Sequence, residues 1–426
     1  MRFQPVAFPR SVMRTSLVAM VMIWCTSLLP FHTRAACTVL NWVRDYPVDS
    51  PTGRRGHAMA YDSLRGITIL FGGFDTNNAV MNDTWQLDNH GWKKLTPAHT
   101  PGARYAHSLS YDASRGKIVL FGGKDAGSTF SDTWEWNGTD WILINIAGSS
   151  PAARYWHGMA FDVSRGVHVL FGGVGAQEYG DTWEYNGNAR TWTLRATSGP
   201  APRRGIQLAF DALRNGTILF GGYTEAGATL PDRYLNDTWL WDGQVGLWGQ
   251  QNPVNIPQGR AFYSLAPDTS RSILLMQNGE VAIDTTTPGE VSDSWEWNGL
   301  DWSDLKPVYD FCCPRMQGAM VYEVAHNRMI QFGGFGAFPA NTWSLEPEWT
   351  RSFGVQIDPT TNPGQFPNVY QTVRQGLAAG PDCVEIGIRD RDYNETLFGL
   401  NPLVITKPTR LEAYQLTGDG ISARIH

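Results

Sequence analysis

The sequence predicts an all-β chain folded as a six-bladed β-propeller, followed by a small C-terminal partial β-helix-like segment. Two repeating features carry the propeller. Phe-Gly-Gly recurs at Phe71-Gly72-Gly73, Phe121-Gly122-Gly123, Phe171-Gly172-Gly173, Phe220-Gly221-Gly222 and Phe332-Gly333-Gly334. The first intervals are 50, 50 and 49 residues. The gap of 112 before the last copy spans two periods, with Leu275-Met276-Gln277 in the missing slot. Tryptophans keep the same step in two series. One is Trp85, Trp134, Trp183, Trp239, Trp295 and Trp343, mostly after Asp-Thr or Asp-Ser; the other is Trp92, Trp141, Trp192, Trp248 and Trp302. A unit this small cannot bury its apolar face alone, so neighbouring copies must stack.

Each element follows from local chemistry. One repeat reads as four strands over 107–111, 117–121, 133–136 and 141–146, with turns at Asp112, Arg115-Gly116, Gly122-Gly123 and Asn137-Gly138. Lys117-Ile118-Val119-Leu120-Phe121 is apolar on both faces, as a strand between two sheets must be. The paired glycines permit φ > 0 and a close backbone approach. Each Asp-Thr-Trp indole is expected where blade meets blade. Trp42-Val43-Arg44 opens an extra copy of the last strand, and Trp349 offers another. Six middle sections therefore compete with seven outer strands. The reading is six blades, with the Trp42 strand completing the sixth; a seven-bladed ring with one incomplete blade is the alternative.

These marks resemble the kelch repeat, in which each copy is one four-stranded propeller blade, and the resemblance covers residues 42 to about 352. The propeller is similar to the central domain of galactose oxidase, and in size and compartment to the periplasmic sialic-acid epimerases. The copper site of the former needs a Cys cross-linked to Tyr. No Cys lies within the first four repeats here, and Cys312-Cys313 sit in a link between repeats. No metal or other cofactor is expected.

The termini read differently. Residues 1–35 look like an export signal: Arg2, Arg10 and Arg14 precede an apolar run from Leu17 to Leu29, and Thr33-Arg34-Ala35 offers a small-residue cleavage site. This predicts a secreted, periplasmic or cell-surface protein, monomeric, with no transmembrane segment after cleavage. The propeller then spans 36–352, a Pro/Gly-rich linker 353–369 and a tail 370–426. In the tail, a short helix up to Ala379, a strand from Cys383 to Ile388 and another from Leu403 to Ala413 resemble the entry cap of a pectate-lyase-like right-handed β-helix. The net charge is −6, and the signal carries four Arg and no acid, so cleavage leaves the chain more acidic still. Such a chain is a poor partner for nucleic acid. Cys37, Cys312, Cys313 and Cys383 allow three disulfide pairings, and spacing does not choose among them.

Candidate functional residues lie at the blade ends. An Arg follows each Pro-rich link: Arg55, Arg104, Arg154, Arg204, Arg260 and Arg315. Six guanidiniums near the channel mouth would bind carboxylates or sulfates bidentately; the competing reading is that each ties its own blade together. His57, His107 and His157 follow closely and read as hydrogen-bonded groups of the inner ring rather than metal ligands. Loops after Gly-Gly vary most in the fourth repeat, Tyr223 to Asn236, and the fifth, Glu280 to Ser292. Tyr223, Arg233 and Tyr234 are its anchor candidates. No nucleophile elbow, phosphate loop or HExxH motif is present. The function this predicts is an exported, non-catalytic module presenting its loop face to a glycan or protein partner. The alternative is a carbohydrate-active enzyme, epimerase- or glycosidase-like, drawing on acids such as Glu178, Glu225 or Glu280.

Overall fold

A computed structural model describes residues 40–45, 50–227, 229–305, 314–335, 341–347 and the dipeptides 353–354, 386–387 and 411–412. Six antiparallel four-stranded blades follow one another along the chain. The first four contain Ala58–Asp62 to Gly91–Leu95, Ser108–Asp112 to Trp141–Leu143, Gly158–Asp162 to Thr191–Ala196, and Leu208–Asp211 to Leu247–Gln251. The fifth runs from Ser264–Asp268 to Trp302–Asp304. The sixth combines Ala319–Glu323, Arg328–Phe332 and Thr342–Pro347 with Leu40–Asp45 from the start of the chain. In the second blade, Lys117–Phe121 and Thr133–Trp136 have the expected bounds. The outer strand stops at Leu143, earlier than expected, at a rim where Ile142 and Leu143 are exposed.

Blades are glued by apolar residues drawn from all four of their strands. Ile69 and Phe71 of the first blade pack against Leu109, Ile118, Leu120, Trp136 and Trp141 of the second. The indoles split into two kinds. The Asp-Thr-Trp indoles pack at the blade-to-blade clusters as expected: Trp183 and Trp343 are buried in them, and Trp85, Trp134, Trp239 and Trp295 lie half-buried against them. The deepest wedges are the outer-strand indoles and the aromatic residues two positions further on, such as Trp136, Trp241 and Trp297. The strand period of two explains this: Trp134 and Trp136 share a face, but Trp136 sits deeper along it.

Two rings of hydrogen bonds close the circle. Each outer-strand indole donates to the hydroxyl of the preceding blade: Trp92 to Thr342, Trp141 to Thr84, Trp192 to Thr133, Trp248 to Thr182, Trp302 to Thr238 and Trp42 to Ser294. Trp42 therefore takes the sixth place, and its strand pairs antiparallel with Thr342–Pro347. The ring has six blades, not seven. Around the axis, Gly56, Ala106, Trp156, Gly205, Phe262 and Gln317 each donate a backbone N–H to the preceding member at 2.7–2.9 Å. All six are left-handed, with φ between 56° and 67°. A non-glycine residue there costs on the order of 1 kcal/mol or more, and closure of the ring imposes it on Ala106, Trp156, Phe262 and Gln317.

On the face opposite this ring, Arg65, Arg115, Arg165 and Arg214 reach carbonyls in the next blade, at Asn137, Gly187, Gly243 and Asn298. Each of these Arg also bonds an Asp of its own turn. Beyond the propeller, Phe353–Gly354 at the start of the expected linker pairs in parallel with Ile386–Gly387 of the tail, which pairs in parallel with Leu411–Glu412. The four cysteines after the signal, Trp349 and the expected tail helix lie outside the described residues.

Candidate binding face

The links between blades and the loops after Gly-Gly emerge on one face, and an arginine organises each junction. The repeating arginines are Arg54, Arg104, Arg154, Arg203, Arg260 and Arg315, each at most 2% exposed. In the first five, the guanidinium grips one carboxylate with two nitrogens: Asp83, Asp132, Asp181, Asp237 and Asp293. The same carboxylate accepts from the neighbouring indole, Trp85, Trp134, Trp183, Trp239 or Trp295. Burial raises the Asp132 pKa, but the bonds and charge of Arg104 more than offset it, so it stays below the usual carboxylate range. Each Arg also bonds the carbonyl of the first Gly of the pair, or of Asn278 or Gly333 in the last two blades. A Cβ on Gly122 would meet the Arg154 carbonyl at 2.6 Å, so that blade requires glycine there.

Two corrections follow. Arg104, Arg154, Arg260 and Arg315 lie beneath the surface and hold blades together. Arg55 and Arg204 are not members of the series; they stand one residue after Arg54 and Arg203. The sequence carried the signal. From each true member to the first glycine, or to Asn278, is 18 residues in all six repeats. The same shift moves the fourth inner strand, where Ile206 fills the slot of His57, His107 and His157.

Those three histidines are buried and stand edge-on to Phe332, Phe71 and Phe121. The polar neighbour of each ring is the backbone carbonyl of that same Phe, and among the described residues no ring nitrogen bonds another side chain. Burial, with the charge of Arg54 or Arg154, lowers His57 and His157 to about 3. Burial and Arg104 push His107 well down. They line, with Tyr263, Met159 and Met320, a central cavity of about 50 Å³. Among the described residues, no cluster of His, Cys, Asp and Glu has a metal-binding arrangement.

The positions that face outward were missed by counting arginines. The residue after each buried Arg pairs with the residue after the glycines. The pairs are Arg55 with Phe74, Tyr105 with Lys124, Tyr155 with Val174, Arg204 with Tyr223, Ala261 with Glu280, and Met316 with Phe335. Eleven of these twelve positions are at least partly exposed around the mouth, Ala261 being buried, and they vary while their neighbours repeat. Their charges sit on aromatic faces: Arg55 over Phe74 and Phe335, Lys124 over Tyr155, Arg204 over Tyr223. Nearer the axis, Phe74 meets Tyr105, Tyr105 meets Trp156, and Trp156 meets Phe262.

The fourth-repeat loop folds back on this rim. Arg204 binds Glu178 at 2.9 Å and Glu225 at 2.6 Å, and Glu225 also takes Arg233. Arg233 and Tyr223 thus join Arg204 in one cluster. Tyr234 does not join them at the surface; it is buried, packed edge-on to Tyr223, and begins the strand Tyr234–Asp242. In the fifth blade, Glu280 and Glu290 stand directly opposite on paired strands. Burial raises both, and Glu280 raises Glu290 further.

The sequence profile of the KLHDC2/KLHL20/DRC7 kelch-repeats domain matches residues 36–222 and 137–334. Among solved structures, one titled "Structure of YjhT" is similar with a TM-score of 0.53 and 16% identity, covering 70% of this chain and 96% of that one. At that identity the likeness speaks for the fold alone. No curated protein matches the sequence. No helix among the described residues is long and apolar enough to cross a membrane. With six repeats of one pattern closed into a ring and a family profile covering most of the chain, the protein belongs to the kelch-repeat family of β-propellers.

Proposed function

We propose that this chain is an exported, non-catalytic interaction module whose mouth ring holds a partner, with a protein favoured over a glycan. One observation carries the reading. The polar groups that recur in every repeat are held inside the blade, while the variable mouth ring offers aromatic faces and cations together. Arg and aromatic side chains supply much of the binding energy at interfaces for little entropy loss. The kelch scaffold, typically a protein-interaction module, agrees. Export rests on the reading of residues 1–35. The parallel pairing of Ile386–Gly387 with Leu411–Glu412 supports the β-helix-cap reading of 370–426. The test is to probe residues 36–426 against immobilised peptides and a glycan array. Binding abolished by Trp156→Ala, in a variant with wild-type circular dichroism, supports the reading; undiminished binding moves the site elsewhere.

A second reading has one observation behind it. Glu280 and Glu290 form a close carboxyl pair with raised pKa values, as acid–base catalysis on carbohydrate would need. Turnover of an array glycan that Glu290→Gln eliminates would establish it.

A further inference from the structure

We propose that Arg55 is an open anchor for the side-chain carboxylate of one Asp or Glu in a protein partner, a proposal that rests on the loop-face reading above. The argument is a comparison within the molecule. Arg55 and Arg204 occupy the same slot in blades one and four, each pairing in backbone with an aromatic residue after the glycines. Each guanidinium lies over that ring, at 4.5 Å from Phe74 and 4.7 Å from Tyr223. In blade four the chain supplies the anions, since Glu178 and Glu225 take both ends of Arg204. In blade one the described residues supply none. Among the described residues Arg55 has no ion pair, and its one side-chain hydrogen bond is a 3.5 Å contact with the Asn78 amide oxygen.

The surroundings hold the group ready. Phe335 of blade six stacks on it at 4.5 Å, so both phenyl rings restrain the guanidinium and leave its N–H edge free. A planar edge of this kind matches a carboxylate bidentately. Beside it is a cavity of about 130 Å³ lined by Arg54, Phe74, Asp75, Thr76 and Phe335. Arg54 is already held by Asp83, and one Asp75 oxygen by the backbone N–H groups of Asn77 and Ala79. Phe335 is 46% exposed, which gives an apolar contact beside the charge. The charge of Glu290 favours the Arg55 cation, and among the described residues the two form no ion pair. A second negative charge on the partner would meet Glu290. The slot therefore selects an isolated acidic residue with neutral or basic neighbours over an acidic run.

The experiment uses residues 36–426 on an array of amidated peptides. One set carries a single Asp or Glu, one an acidic run, one no acid; a fourth, unamidated, carries only its C-terminal carboxylate. Wild type is expected to favour the first set. Arg55→Met, with an unchanged unfolding midpoint, is expected to lose about 10- to 100-fold in affinity for it, the scale of a charge-assisted pair. Glu290→Gln should raise binding of acidic runs relative to single acids. Binding of single-acid peptides that Arg55→Met leaves intact overturns the inference while the loop-face reading stands. Preference for acid-free peptides, for the C-terminal carboxylate or for a carboxylated glycan also overturns it. A wild type that binds nothing overturns the loop-face reading and this anchor with it.

Discussion

At the scale of single residues, the buried Arg–Asp–Trp unit is the main polar device of the blade. Its logic is that a guanidinium removed from water must be met by charge and geometry together. Asp132→Ala should destabilise by about 3–5 kcal/mol, because it leaves Arg104 buried without its anion. Asp132→Asn should cost less, since the sixth blade has Asn341 at this position. Urea unfolding of both variants checks the order; equal losses would show that the charge carries the whole interaction and that a neutral amide restores none of it. The buried histidines make a second residue-level prediction. Their folded pKa lies below the unfolded value of 6.5, so the unfolded chain binds more protons between pH 6.5 and about 3. Stability should be fully present above 6.5 and fall as pH drops through that window. His107→Leu, keeping the contact with Phe71, should flatten the slope of unfolding free energy against pH. An unchanged slope would place the acid sensitivity in the carboxylates.

At the scale of the element, the blade shows which repeated residues are wedges and which are brackets. Trp136 is 1% exposed and packs at 5.4 Å from Trp141, whereas Trp134 is half-buried and hydrogen-bonded to Asp132. Trp136→Ala should cost about 3–5 kcal/mol, as a large core aromatic does, and Trp134→Ala roughly half of that. Chemical denaturation of the pair decides it, and the reverse order would mean that the Asp-bound indole is the true wedge. The loop of blade four belongs to this scale too. Thr229 and Asp232 cap one turn of helix, Leu230–Arg233, which delivers Arg233 to Glu225. Tyr234 already belongs to the next strand, so a loop deletion must stop before it.

At the scale of the whole molecule, stability depends on closing the circle. The Leu40–Asp45 strand contributes six residues of register with Thr342–Pro347, and Trp42 continues the indole-to-hydroxyl ring. Deleting residues 36–45 should lower the thermal midpoint sharply and broaden the transition, because the sixth blade loses its outer edge. A midpoint that does not move would show that the ring is held without this strand. The axial ring acts at the same scale. Left-handed Trp156 and Phe262 are tolerated because six hydrogen bonds over-determine their backbone, and the same constraint points both aromatic rings at the mouth.

How much was legible follows from what repeats. Blade number, strand order, turn glycines and the closing strand all stand in the sequence, since a period of about 50 residues and an indole at a constant slot are one-dimensional facts. The arginine register was there as well, in the constant 18-residue spacing to the glycines. Counting from the prolines put Arg55 and Arg204 in the wrong column, because an adjacent arginine precedes each. Three things belong to tertiary structure alone. Which indole is buried depends on the depth of the neighbouring blade. Which arginine is free depends on whether Glu178 and Glu225 stand across from it. That Phe74 and Phe335 clasp Arg55 depends on blade six closing against blade one. Each joins residues far apart in the chain through the curvature of the ring. Local periodicity fixes the blade, but only closure decides what faces what across its mouth.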